Sequence, residues 1–221
     1  MSTVLVIGAS RGLGLELATQ YAAAGWRVIG TARSPEGLSR LQAVGAEALS
    51  LDVSDPASVS GLSWRLDGEK LDLALYVAGV MDKGDAQTPP TREAFDAVMH
   101  ANVLGAMQVI PQVAPMLQEG HGTLACISSR MGSLALTQSS DAALYRISKA
   151  ALNMVVRTAQ AGYADIAVVA LHPGWVQTDM GGRAAPLTPR ESVAAMRATL
   201  ASLKPAHHGQ FLSYDGTPLA W

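Results

Sequence analysis

Tyr145 and Lys149 stand four residues apart, and Leu152 and Val156 continue the same stripe. On a helix both side chains would leave one face. A phenol has a pKa of about 10 and is a poor acid or base near neutrality, but an adjacent ammonium stabilises the phenolate and lowers that value. The pair can therefore give a proton to a carbonyl oxygen or take one from an alcohol. Alone, the same spacing also describes an ordinary pair on a helix surface. Ser128 and Ser129 weigh against that, because they end the apolar run at 122–127 that leads into the Tyr145 segment and bring a hydroxyl towards the same place. Asn102 adds an amide inside the apolar stripe of Phe95, Val98, Met99, Val103 and Met107. A buried amide needs partners, which makes it either a structural group or the holder of a water beside Lys149.

A second constellation is Gly8-Ala9-Ser10-Arg11-Gly12-Leu13-Gly14, between an apolar run and a segment carrying Leu15, Leu17, Ala18 and Tyr21. Small residues there let the backbone approach a pyrophosphate, and a helix N-terminus offers unpaired N–H groups and partial positive charge. The alternative is a plain tight turn. The loop lacks the lysine of a P-loop, which disfavours nucleotide hydrolysis. The second apolar run ends Gly30-Thr31-Ala32-Arg33, with no carboxylate before Glu36. In dinucleotide folds an acidic residue there takes the ribose 2′-hydroxyl of NAD, whereas an arginine accommodates the 2′-phosphate of NADP. NADP (NADPH) is therefore the expected cofactor, with Arg33 and Arg11 as its charge partners unless they are simply solvated surface charges.

These groups need elements to hold them. Short β-branched runs at 4–7, 27–31, 46–51, 71–77, 122–127 and 166–171, and a weaker one at 210–213, alternate with helical spacing. Continuous apolar strands separated by helices make a parallel sheet buried on both faces. The fold expected is α/β, a Rossmann-type doubly wound parallel sheet flanked by helices. Asp55-Pro56 and Thr91 mark helix starts. No repeat, low-complexity tract or linker divides the chain, so residues 1–221 are expected to form a single domain. In such sheets ligands bind beyond the carboxyl ends of the strands. Those ends carry, in order, the glycine loop, Ala32-Arg33, Asp52-Val53, Ala78-Gly79, Ser128-Ser129 and His172-Pro173-Gly174.

Composition narrows the class. The chain has 221 residues, 49% hydrophobic and only 15% charged, against about 25% charged in an average domain. Disorder is excluded by that balance. A net charge of -2 leaves no basic footprint for nucleic acid or an anionic membrane. The longest apolar run is far short of the ~18 residues of a spanning helix, and the first residues lack the pattern of a signal peptide. A lone Cys126 fits a reducing cytoplasm. His100, His121, His172, His207 and His208 lack metal-ligand spacing, and neither Ser128 nor Ser129 lies in a hydrolase elbow. The 21 glycines are an excess that must serve turns or close approaches.

Taken together, Gly8-x-x-x-Gly12-x-Gly14, Asp52, Asn102, Ser129, Tyr145-x-x-x-Lys149 and Pro173-Gly174 with Thr178 resemble the single-domain short-chain dehydrogenases/reductases. The resemblance implies a Rossmann fold, NAD(P) and a tyrosine-based oxidoreductase. It makes Tyr145 the general acid/base and gives Lys149 the nicotinamide ribose. Ser129, the second serine of its pair, would orient the carbonyl, and Asn102 would hold a relay water. Asp52, Val53, Ala78 and Gly79 would lie by the adenosine half, with Val176 and Thr178 at the carboxamide. The segments 128–133, 145–153 and 214–221 look like the C-factor and sniffer-type carbonyl reductases, an NADPH-using branch. Ile7 replaces the usual threonine, and Tyr76-Val77-Ala78-Gly79 replaces Asn-Asn-Ala-Gly, losing an asparagine that braces the central strand.

The function expected is NADPH-dependent reduction of aldehydes or ketones. The alternative is a C-factor-like signalling or redox-sensing protein that binds NADP(H) with little turnover. Only about ten residues, 179–188, would form the substrate lid, implying an open pocket in which Trp175, Met180, Met131 and Leu134 are candidate apolar walls. The resemblance also suggests a homodimer or homotetramer.

Overall fold

The computed structural model describes residues 1–221. Seven parallel strands form one sheet in the order β3-β2-β1-β4-β5-β6-β7. They are β1 (Thr3–Ile7), β2 (Arg27–Ala32), β3 (Glu47–Ser50), β4 (Leu73–Tyr76), β5 (Thr123–Ile127), β6 (Ala167–His172) and β7 (Phe211–Ser213). Each expected apolar run overlaps one of them. The helices are α1 (Gly12–Ala23), α2 (Pro35–Ala43), α3 (Pro56–Ser60), α4 (Leu62–Arg65), α5 (Arg92–Met99), α6 (Gly105–Gly120), α7 (Ala143–Gly162) and α8 (Pro189–Ala201).

Burial on both faces accounts for the strand composition. Leu5 and Ile7 pack into one core with residues of α3, α4, α6 and α7, while Val4 and Val6 pack into the other with residues of α1, α2 and α8. Helix starts follow local chemistry: Asp55 accepts from Ala57 N, Thr91 from Ala94 N, and Thr188 forms a capping box with Glu191. The strand order reverses between β1 and β4, which opens a crevice at their carboxyl ends.

One feature departs from the expected pattern. Between α5 and α6 the chain makes a π-turn, His100–Leu104, in which the Gly105 N–H donates to His100 O, five residues back. The inserted residue turns the following helix by roughly 100° relative to an unbroken one. The expected stripe is not one buried face: Val98 and Val103 are buried, but Phe95 before the turn and Met107 after it are exposed.

The segment after β6 is short and stitched. Val176 bridges Leu187, Gln177 Nε2 donates to Ala185 O at 2.9 Å, and Trp175 Nε1 donates to Gly181 O at 2.8 Å.

Candidate active site

The crevice beyond β1 and β4 has a volume of about 270 Å³. Gly8, Ser10, Arg11, Gly12, Leu13, Gly14, Arg33, Asp52, Val53, Ala78, Gly79, Tyr145, Lys149, Pro173 and Thr178 all line it. The glycine loop is closely packed for a reason visible in its geometry. Gly8 has φ +87°, and a Cβ there would fall 2.7 Å from the Ala78 backbone; one on Gly14 would fall 2.2 Å from Gly8 O. Gly8 N donates to Thr31 Oγ1 at 2.9 Å, so a buried threonine of β2 anchors the loop. The first turn of α1 has no side-chain cap and no acidic residue. Its N–H groups and dipole therefore suit an anion, and these residues fit a dinucleotide pyrophosphate.

The two arginines differ in their surroundings. Arg33 is 70% exposed at the crevice rim, with Nη1 4.0 Å from Asp52 Oδ2. Burial works against the Asp52 charge, but Ser54 and Arg33 outweigh it and hold the carboxyl below its usual value. Arg11 is not a free charge: its Nη1 pairs with Asp179 Oδ2 at 2.9 Å. Both partners are well exposed, so that pair contributes little stability and can be exchanged.

The reactive groups meet at the other end of the crevice. Tyr145 is 7% exposed and Lys149 4%. Lys149 Nζ lies 5.6 Å from the centre of the Tyr145 ring and donates to Ile127 O at 2.9 Å. Burial pushes the phenol up to about 12, with Ser129 lowering it in part. Burial dominates Ser129 here, and the Lys149 ammonium, bound to Ile127 O, is not among the groups that lower the resting phenol. Burial also brings Lys149 down to about 8.

The two serines have separate tasks. Ser128 donates to Asn153 Oδ1 at 2.6 Å, whereas Ser129 caps the following turn by accepting from Met131 N and acts on Tyr145. Asn102 is fully buried. Its Oδ1 accepts from Val80 N at 2.8 Å, and its Nδ2 donates to Val80 O at 2.9 Å and to Ser148 Oγ at 2.8 Å. Both N–H donors are used within the protein, which favours the structural alternative over a water held by this side chain. A Cβ on Gly79 would sit 3.0 Å from Asn102 Oδ1 and 3.5 Å from Lys149 Nζ, so these three residues converge.

Two expected cofactor residues lie behind the wall. Gly174, at φ +83°, packs against Leu187 and Tyr214, and Val176 is buried with its carbonyl accepting from Thr178 N. Sequence reasoning missed Ser148 and Asn153, although each is a polar residue on the buried face of α7. The signal that singled out Asn102 applies to both.

Comparison with known proteins places this geometry. Residues 2–186 match the family described as short chain dehydrogenase. The C-signal protein of Myxococcus xanthus is 44% identical over 123 residues, 54% of this chain and 74% of that protein. The 1-hydroxy-2-glutathionyl-2-methyl-3-butene dehydrogenase of Rhodococcus sp. (strain AD45) is 34% identical over 232 residues, covering 100% of both chains. The NADPH-bound carbonyl reductase from chicken fatty liver superposes with a TM-score of 0.89 at 33% identity, over 100% of this chain and 99% of that one.

Proposed function

This chain belongs to the short-chain dehydrogenase family, and from that premise we propose that it reduces aldehydes or ketones with NADPH, Tyr145 giving the proton. The observation that carries the proposal is the meeting of Tyr145 and Lys149, with Ser129 bonded to Tyr145 and Ser128 in the wall, at one end of a crevice whose other end is a glycine loop on an uncapped helix start. The likeness to an NADPH-bound carbonyl reductase supports the cofactor and the reaction class.

The residues divide the work. Gly8, Ser10, Gly12, Leu13 and Gly14 would take the pyrophosphate on backbone N–H groups. Arg33 would meet the 2′-phosphate, joined by Arg11 on exchange of its Asp179 partner. Asp52, Val53, Ala78 and Gly79 would wall the adenosine half. Pro173 and Thr178 would flank the nicotinamide, with Gly174 and Val176 supporting them from behind. Bound NADPH supplies a hydride to the carbonyl carbon. Ser129 holds the carbonyl oxygen, and Tyr145 donates its proton there. A phenol near 12 is protonated at neutrality, which is the form a reduction needs. Lys149 carries its charge below about 8 and stabilises the phenolate as the proton leaves. Asn102 holds Val80 and Ser148 in place, fixing the wall around both groups.

Trp175 and Met180 are exposed within the stitched segment and Leu134 is exposed after β5, and together with Met131 they would suit an apolar carbonyl compound. The whole chain, residues 1–221, would act as one cofactor-binding and catalytic domain. We place it in the cytoplasm, on the strength of the free buried thiol of Cys126. No helix is long and apolar enough to cross a membrane. A second copy of the chain would cover the exposed Phe95, Met107, Ile147 and Met154 of α5, α6 and α7.

Replacing Tyr145 with Phe tests the mechanism. Turnover of a responsive carbonyl should fall at least about a hundredfold while NADPH still binds. Full turnover in Y145F would overturn it. The C-signal likeness favours a second reading, NADPH binding without appreciable turnover, and the intact Tyr145–Lys149 pair counts against it.

A further inference from the structure

The π-turn creates a backbone problem that one side chain solves. In an unbroken α-helix the Gly105 N–H would donate to Ala101 O, but here it donates to His100 O. Ala101 O thereby loses its helical donor, inside the core, where an unpaired carbonyl is costly. The Tyr76 hydroxyl, from the end of β4, donates to Ala101 O at 2.7 Å. Tyr76 is 1% exposed, and burial keeps its phenol well above the ordinary value, so it remains a donor.

The fit is specific to this pairing. A Cβ at Gly105 would fall 2.4 Å from Tyr76 Oη and 2.8 Å from Val53 O, so a glycine is what admits the phenol. The residue next to Ala101 is Asn102, whose amide clasps both polar backbone atoms of Val80 and reaches Ser148 Oγ. Ser148 Oγ in turn donates to Tyr145 O at 2.7 Å. A continuous run of contacts thus leads from Tyr76, through the π-turn, to the crevice wall at Val80 and the helical turn that carries Tyr145.

We infer that Tyr76 is a positioning residue for the reduction: its hydroxyl holds the π-turn in the register that presents Asn102 to Val80 and Ser148. The inference rests on the reductase function proposed above for its catalytic consequence, but not for its structural one.

The test is Tyr76→Phe, which removes one oxygen. Backbone hydrogen exchange should quicken at 100–105 and 79–81 by at least tenfold, while α1 and α8 exchange as in the parent. The NADPH dissociation constant, read by fluorescence titration, should rise severalfold. For a carbonyl that the parent reduces, kcat should fall about tenfold with KM for the carbonyl within about threefold. Tyr76→p-aminophenylalanine keeps a donor at the same reach and should restore exchange and kcat to within about twofold. Unchanged exchange in the Phe variant overturns the inference, as does a loss of thermal stability alone with kcat and NADPH affinity intact. Should the Phe variant not fold, the p-amino variant decides: parent-like exchange and kcat support the inference, and a tenfold loss of kcat in the folded p-amino protein overturns it. A parent that reduces no carbonyl sinks the reductase function, while the exchange and NADPH measurements still decide the role of Tyr76.

Discussion

Burial moves Tyr145 and Lys149 towards each other, the phenol up to about 12 and the ammonium down to about 8. The lysine is therefore the group whose charge changes near working pH. Its charged form is present below about 8 and lost above, whereas the tyrosine stays protonated across that window. Reduction should accordingly decline as pH rises through about 8, with no further limb before about 12. The check is kcat/KM for a carbonyl between about pH 6 and 10. A rate that stays flat to pH 10 would remove Lys149 from the role assigned to it. The spacing of Tyr145 and Lys149 was legible in the sequence because helical periodicity fixes which residues share a face. The direction of the phenol's shift was not, since it depends on how much protein surrounds the ring and on Lys149 Nζ being bound to Ile127 O. The same holds for Asn102, whose burial the apolar stripe foretold but whose partners, Val80 and Ser148, only the fold could supply.

The strands and the helix starts at Asp55 and Thr91 were readable because their signals are local: continuous apolar runs for a sheet buried on both faces, and a capping side chain at each start. The π-turn was not, because one inserted residue leaves the sequence pattern almost unchanged while rotating everything after it. The glycine loop lies between these cases. Its position was legible, but the contacts that require glycine come from Ala78, beyond the end of β4, and from the loop's own backbone. Gly8→Ala should cost about 1–3 kcal/mol of stability and weaken NADPH binding, because φ is +87° and the new Cβ meets Ala78 at 2.7 Å. Gly25→Ala provides the contrast: φ is +79° but nothing lies within 4 Å, so it should cost only about 1 kcal/mol and leave NADPH affinity unchanged. Denaturant unfolding and fluorescence titration of the two variants separate strain from lost contact with the cofactor. Equal NADPH affinities would contradict the cradle assigned to Gly8.

For the molecule as a whole, the low charge is explained by two cores on opposite faces of one sheet. Exposed apolar residues on α5, α6 and α7 are the exception, and at 45–63% exposure Phe95, Met107, Ile147 and Met154 are unusual on a chain that stays single. Light scattering should give at least twice the chain mass, and a paired Ile147→Glu, Met154→Glu variant should return it to one chain. A parent that is monomeric at tens of micromolar would refute the interface. The segment after β6 is short, and the open substrate end proposed for it makes breadth of substrate a prediction at this scale as well. The most direct test of the whole account is the oxidation of NADPH across a panel of aliphatic and aromatic aldehydes and ketones, with NADH in parallel. The account predicts turnover of several apolar carbonyls and a kcat/KM for NADPH at least about tenfold above that for NADH. Tight NADPH binding with no oxidation by any carbonyl, or a preference for NADH, would contradict it.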